Sequence, residues 1–381
     1  MKRDSRRNVA VIGVGLVPFD KYDDESIEEI ARPAVVAALR DSGLTREQID
    51  AAFVAHLYQG EVLGQRILRG LGFAQIPITN VENACAGGST AVREAFYAVA
   101  HGHFETALVI GAEKMGRGLI NFINADLEMT LGNTAPAQYA LAAQRHMYEF
   151  GTPREAFAQI AVKSRRHAQM NPNARFRDPV TRGEVIESRA IADPLTLLEC
   201  CRNGSGAAAL VIASEDMVKK SGAKPIWFLG SGLASWMFDN TQQDLTSFGA
   251  TRAAAKAAYD DAQIEVADVS VVELHDAFTA GELLHYEGLG LCGKGEGGRF
   301  ALEGETEFGG RVPVNMSGGL LSKSHPLGAT GVAQICEIVW QLRGQAEGRQ
   351  VENARIGLAH SQGGTGLEAG ATCVTLLGRE P

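Results

Sequence analysis

Residues 31–56 and 251–276 follow one plan at a shift of 220 positions. The first reads ARPAVVAALRDSGLTREQIDAAFVAH and the second TRAAAKAAYDDAQIEVADVSVVELHD. Each opens with an alanine-rich helical stretch, passes a polar turn holding Leu44 or Ile264, and enters an apolar strand led by Ile49 or Val269. Upstream of each lies a further strand, Val9–Val14 or Pro225–Gly230, running into Gly13-Val14-Gly15 or Gly230-Ser231-Gly232. Downstream, Asn83-Ala84-Cys85-Ala86-Gly87-Gly88 and Ser324-His325-Pro326-Leu327-Gly328-Ala329 each open a helix, and the strands Ala107–Gly111 and Arg355–Ala359 follow. Strands alternating with helices imply right-handed crossovers and parallel sheets buried on both faces. A duplicated chain of this kind would bury helices between two sheets. Any two β/α segments share some of this pattern, so the motifs must decide. The expected organisation is an N-terminal half (1–114 with 201–222), an inserted loop region (115–200) and a C-terminal half (223–381). Segment 162–184, dense in Lys, Arg, His, Asn and Pro, reads as loops over the core.

Charge narrows the partners. With 36 Lys+Arg against 45 Asp+Glu the net charge is −9, which disfavours nucleic acid, whose phosphates need a concentrated basic surface. Six cysteines without a CxxC pair give neither a disulfide framework nor a structural zinc site, so no metal and a reducing, cytoplasmic setting are expected. Basic residues before Val9–Val17 imitate a secretory signal, but Pro18-Phe19-Asp20-Lys21 follows in place of a small-residue cleavage site. No run of 18 apolar residues is available to span a membrane.

Cys85 lies between a strand and a helix expected over 89–101. A helix N-terminus favours the thiolate, which predicts a lowered pKa and a nucleophile; the competing reading is a small core residue. His325 precedes Pro326 at the first turn of a helix, and His275 ends the strand Val271–Leu274, where parallel sheets place ligands. Either imidazole could activate a thiol or polarise a carbonyl. The loop His360-Ser361-Gln362-Gly363-Gly364 offers backbone N–H groups to an oxyanion, although a glycine loop can be only a turn.

Several segments together carry a specific resemblance. Asn83–Thr90, Gly111-Ala112-Glu113-Lys114-Met115, Pro194–Cys201, 274–291 and 315–331 resemble the thiolase superfamily over nearly the whole chain, closest to the sterol carrier protein X-type and archaeal thiolases. The resemblance implies duplicated βαβαβαββ halves in an α-β-α-β-α five-layer sandwich, as a homodimer. It implies Cys85 as the acyl-accepting nucleophile and His325 as the base that also binds a thioester oxygen. His275 holds the first position of the family's HDCF-type motif, which helps form that oxyanion hole, and Gly363 with the Cys85 N–H would form the second.

The resemblance also marks a departure. The second cysteine, which moves the proton at the substrate α-carbon, is absent: Ala277 and Ser361 stand in its two usual places. A serine is too weak an acid to replace it directly. His360, His275 and His56 are the candidate replacements, while Cys292 and Cys336 read as core. Ser324 replaces the glycine usual before the His-Pro pair. Lys163, Arg165, Arg166 and His167 either bind a coenzyme A phosphate or form a solvated helix face. The expected activity is cleavage of a 3-oxoacyl-CoA through an acyl-Cys85 intermediate, with coenzyme A as co-substrate and no bound cofactor. The small residues at 277 and 361 point to a bulky or aromatic substrate, of which benzoylsuccinyl-CoA is one example. Alternatives are a C-acyltransferase or Claisen-condensing enzyme, a retro-aldolase, and a non-catalytic lipid-binding or scaffold subunit. Members of this branch often work with a separate small OB-fold zinc-ribbon protein. The chain, ending at Pro381 after its last strand, carries no such domain, so a separate partner is expected.

Overall fold

The computed structural model describes residues 6–116, 118, 120, 131–236, 244–364, 367 and 370–381. The N-terminal half runs β1 (Val9–Leu16), α1 (Ile27–Ser42), β2 (Ala51–Ala55), α2 (Leu63–Gly70), β3 (Ile78–Val81), α3 (Gly87–Ala100) and β4 (Thr106–Glu113). Next come α4 (Ala135–Phe150), α5 (Arg154–Gln169), α6 (Arg182–Glu187) and the small hairpin β5 (Ala190–Ala192) and β6 (Leu195–Thr196). After them follow β7 (Gly206–Ser214), α7 (Glu215–Ser221), β8 (Ile226–Ser235), α8 (Gly249–Ala262) and β9 (Val271–Glu273). The chain finishes with α9 (Thr279–Gly288), α10 (Gly297–Leu302), α11 (Gly319–Lys323), α12 (Leu327–Arg343), β10 (Ile356–Gly363) and β11 (Ala371–Gly378).

The repeat is geometric as well as textual. Helices α1 and α8 end in left-handed residues at Gly43 (φ 70°) and Gln263 (φ 58°), and the 3₁₀ turns Arg46–Gln48 and Val266–Asp268 follow, all at the same 220-residue offset. A Cβ on Gly13 or Gly15 would come within 2.2 Å of Ala38 O or 2.1 Å of Ala34 O. One on Gly230 or Gly232 would come within 2.5 Å of Ala258 O or 2.1 Å of Ala254 O. Glycine on the strand and alanine on the helix therefore set the same close helix-to-sheet packing in both halves.

The described strands form a sheet in the order β3-β2-β4-β7-β1-β8-β11-β10-β9, each half mirroring the other. The halves meet edge to edge through only two β1–β8 pairs, Ala10↔Trp227 and Val11↔Ile226. The place of β3 is taken in the second half by a single parallel bridge, Val272↔Val314. Apart from that bridge, parallel pairing among the described strands is confined to β3-β2-β4 and β9-β10, which corrects the expectation of parallel sheets. Both β7 and β11 run antiparallel to their neighbours, because β7 arrives from the inserted region and β11 follows β10 after a short connection rather than a helical crossover.

Alternate residues of each strand enter different cores, as the period of two demands. On β4, Ala107 and Val109 face the middle layer, while Leu108, Ile110 and Ala112 face α1 and α2. On β7, Leu210 and Ile212 face the middle and Ala209 and Val211 the outside. The middle core is filled by α3 (Ala91, Ala95, Phe96) and α12 (Val332, Ile335, Ile338). A third core lies beyond the second half, beneath α4, α8 and α9. The resulting layers are α-β-α-β-α. The segment expected as a loop region carries helices α4 to α6, and α5 buries Phe157, Ile160, Ala161 and Ala168 along one face.

Candidate active site

The ends of β3, β9 and β10 converge on a cavity of about 1210 Å³, whose walls include Cys85, His275, His325 and Gly363. The sequence motifs thus come together from both halves, at the carboxyl ends of strands.

Cys85 sits on a single 3₁₀ turn, Ala84–Ala86, that leads into α3, and Ala84 before it is left-handed at φ 47°. The turn buries the thiol. Burial, with the negative charge of Glu113 nearby, pushes its pKa up to about 12, against the lowered value expected from a helix terminus. Loss of solvent outweighs the helix dipole here. Cys85 therefore rests as a neutral thiol that needs a base. A Cβ on Gly363 would lie 2.5 Å from the backbone nitrogens of both Cys85 and Ala86, so the β10 end packs backbone to backbone against the nucleophile turn.

His325 is held on both sides. Its backbone N–H donates to Arg202 O (2.9 Å), and its Nδ1 lies 2.8 Å from Thr330 Oγ1. The Thr330 hydroxyl donates its own hydrogen to Pro326 O (2.9 Å), so His325 must donate from Nδ1. Nε2 is then the free acceptor, and it has no partner among the described residues. Burial, then His275, holds the His325 pKa well below the usual imidazole value, keeping it neutral. The His275 ring stands edge-on to it, centroids 5.2 Å apart, and burial lowers His275 to about 3.

Supporting residues fix these positions. The buried Glu113 carboxylate accepts from Leu57 N–H, Tyr58 N–H and Gly328 N–H (2.8, 2.9 and 3.0 Å), which ties the loop after β2 to the start of α12. Asn315 Oδ1 accepts from Leu274 N–H (2.8 Å), and Asp276 accepts from Leu320 N–H (2.7 Å), clamping the strand end that carries His275. Ser324 adopts φ 79° and ψ 174°, a region that suits the glycine it replaces, and its buried hydroxyl has no partner among the described residues.

Other expected site residues lie elsewhere. His360 is buried behind His275, accepting the His275 N–H at Nδ1 (3.3 Å), and Ser361 donates to Gln334 Oε1 (2.9 Å); neither lines the cavity. His56 is half-buried and also outside the walls. Lys163 is buried in an ion pair with Glu282, beside Tyr286 OH, and Arg166 pairs with Glu307, so neither faces the cavity. Arg165 stays one layer back, over the Phe176 ring at 5.2 Å, while Phe176, Arg175, Arg189 and Arg202 reach the walls. Arg189 and Arg202 make no ion pair among the described residues. Sequence reasoning also missed Tyr139, Cys200 and Cys201 on the walls, although Cys200 and Cys201 end a segment that it singled out.

Residues 9–216 match the family model "Thiolase, N-terminal domain" and residues 230–378 match "Thiolase C-terminal domain-like". The chain belongs to the thiolase family. Similar proteins include an acetyl-CoA acetyltransferase of Methanothermobacter thermautotrophicus, 40% identical over 94% of this chain and 97% of that protein. Another is the benzoylsuccinyl-CoA thiolase subunit BbsB of Thauera aromatica, 42% identical over 94% and 95%. Human sterol carrier protein 2 is 37% identical over 97% of this chain and 71% of its own length. Among solved structures, an Ltp2-ChsH2(DUF35) aldolase superposes with a TM-score of 0.86 at 28% identity, covering 97% of both chains. Human mitochondrial 3-ketoacyl-CoA thiolase, at 18% identity and a TM-score of 0.75, shares the thiolase fold. The chain is accordingly an acyltransferase of thiolase type, and no described helix is long and apolar enough to cross a membrane.

Proposed function

We propose that this thiolase cleaves a 3-oxoacyl-CoA with coenzyme A through a thioester on Cys85. The observation that carries the reading is the pairing, in one cavity, of a neutral thiol with a neutral imidazole whose Nε2 is fixed as an acceptor. As Cys85 Sγ attacks the 3-oxo carbon, His325 Nε2 takes its proton, so no resting thiolate is required. The new alkoxide is held by backbone N–H groups of Cys85 and Gly363. The enolate oxygen of the departing acyl-CoA is held by the protonated His325, with His275 beside it. Coenzyme A then collects the acyl group from Cys85.

Arg175, Arg189 and Arg202 at the cavity wall replace Lys163 and Arg166 as the cations that a coenzyme A phosphate would meet. A bulky or aromatic acyl group fits the size of the cavity and the small residue at 277, and BbsB, named for benzoylsuccinyl-CoA, is among the similar proteins. A homodimer with a small OB-fold zinc-ribbon protein is the proposed assembly. BbsB is named as a subunit, and the aldolase structure is named with a DUF35 component. That aldolase also supports a second reading, retro-aldol cleavage, for which an acyl-cysteine is unnecessary; the intact Cys85–His325 pair favours thiolysis. Initial-rate kinetics of thiolysis separate the two. Parallel double-reciprocal lines, with activity lost in Cys85→Ala, are expected; cleavage that proceeds in Cys85→Ala without coenzyme A would establish the retro-aldol route instead.

A further inference from the structure

Thiolysis as proposed above leaves one proton unassigned, the one delivered to the α-carbon of the departing acyl-CoA. Ala277 and Ser361 stand where a thiol would supply it, and Ser361 is committed to Gln334 outside the cavity. His360 is likewise outside. The cavity nevertheless holds two further thiols, Cys200 and Cys201, on the segment between β6 and β7.

These two differ. Cys200 Sγ donates to Thr196 O at 3.3 Å. The Cys201 thiol is hydrogen-bonded to no other described residue, and its backbone N–H donates to Ala277 O at 2.8 Å. The chain pairs at this point, Cys200 bridging Phe278 in antiparallel fashion, so residue 201 lies directly beside residue 277. Ala277 lines the same cavity. The thiol missing from position 277 is thus present one strand across.

We propose that Cys201 is the acid/base at the substrate α-carbon. The inference rests on the thiolytic reading. When the bond between C2 and C3 breaks, its electron pair passes into the enolate, and Cys201 delivers its S–H proton to C2, leaving a thiolate. That thiolate takes the proton of the incoming coenzyme A thiol, whose sulfur attacks the Cys85 thioester. The Cys85–acyl bond breaks, and the Cys85 sulfur recovers its proton from His325. Each group returns to its starting state, and no oxidant or metal enters. Burial, then the neighbouring Cys200 and Asp276, pushes the Cys201 thiol well above its ordinary value and so keeps it in the donor form.

The test uses purified full-length protein in D₂O with acetyl-, propionyl- and succinyl-CoA, reading acylation of Cys85 by intact mass and α-deuterium in the recovered ester. Wild type is expected to acylate and exchange with at least one ester. Cys201→Ala and the nearly isosteric Cys201→Ser should still acylate but exchange at least about 100-fold more slowly. Cys200→Ala should exchange at the wild-type rate. Undiminished exchange in Cys201→Ala, or an equal loss in Cys200→Ala, would overturn the assignment and leave the acyl-enzyme reading standing. Wild type that acylates with no ester would overturn both.

Discussion

At the scale of single residues the decisive balance is between solvent loss and local dipoles. Cys85 stands before α3, where a helix terminus lowers a thiol pKa, yet burial pushes it up to about 12. The sign has an observable consequence. A thiol reacts as its thiolate, so the pH at which alkylation rises reports the pKa in the folded protein. Iodoacetamide labelling of Cys85, followed by peptide mass, should climb past pH 10, whereas the urea-unfolded chain should show a midpoint near about 8.5. A folded-state midpoint at or below that of the unfolded chain would contradict the neutral-pair account. Cys85 and His275 were legible in the sequence because each sits in a short motif between a strand and a helix, His325 because it precedes Pro326 at the first turn of α12, and Gly363 because it ends an apolar strand in a glycine-rich stretch. Lys163 was not, because composition reports how many charges a helix carries and not which face they take; Lys163 turns inward to Glu282. The wall cations Arg175, Arg189 and Arg202 are scattered along the chain and meet only through folding.

At the scale of elements, the crossing of α3 and α12 holds the nucleophile turn against the helix that follows His325. A Cβ on Gly331 would lie 2.4 Å from Ser89 N, a backbone atom that cannot step aside, and one on Gly88 would lie 2.7 Å from Gly328 O. In an exposed helix, Gly→Ala gains up to about 1 kcal/mol. Here overpacking of about 1–3 kcal/mol or more should win. Gly331→Ala is expected to lower the urea midpoint and to slow acylation of Cys85 together; a raised midpoint would show that the helices part without cost. The 220-residue repeat made both helix-on-strand units readable, down to the left-handed residues Gly43 and Gln263. The inserted helices escaped because the basic, proline-containing text of 162–184 drew attention from the spacing of Phe157, Ile160, Ala161 and Ala168 just upstream. Antiparallel β7 and β11 escaped because alternation of strand and helix carries no direction for strands that follow no crossover.

At the scale of the whole molecule, duplication turns two incomplete halves into one site. The first half supplies Cys85, and the second supplies His275, His325 and Gly363. Buried Glu113 joins them by accepting N–H groups from residues 57, 58 and 328. The central claim is that this shared site forms an acyl-enzyme on Cys85. Intact-protein mass spectrometry after incubation with a panel of 3-oxoacyl-CoA and acyl-CoA esters, aromatic ones included, tests it most directly. The account predicts one acyl adduct on wild type, removed by added coenzyme A and absent from Cys85→Ala. An adduct that persists in Cys85→Ala, or none with any ester even when host extract supplies a partner protein, would contradict it.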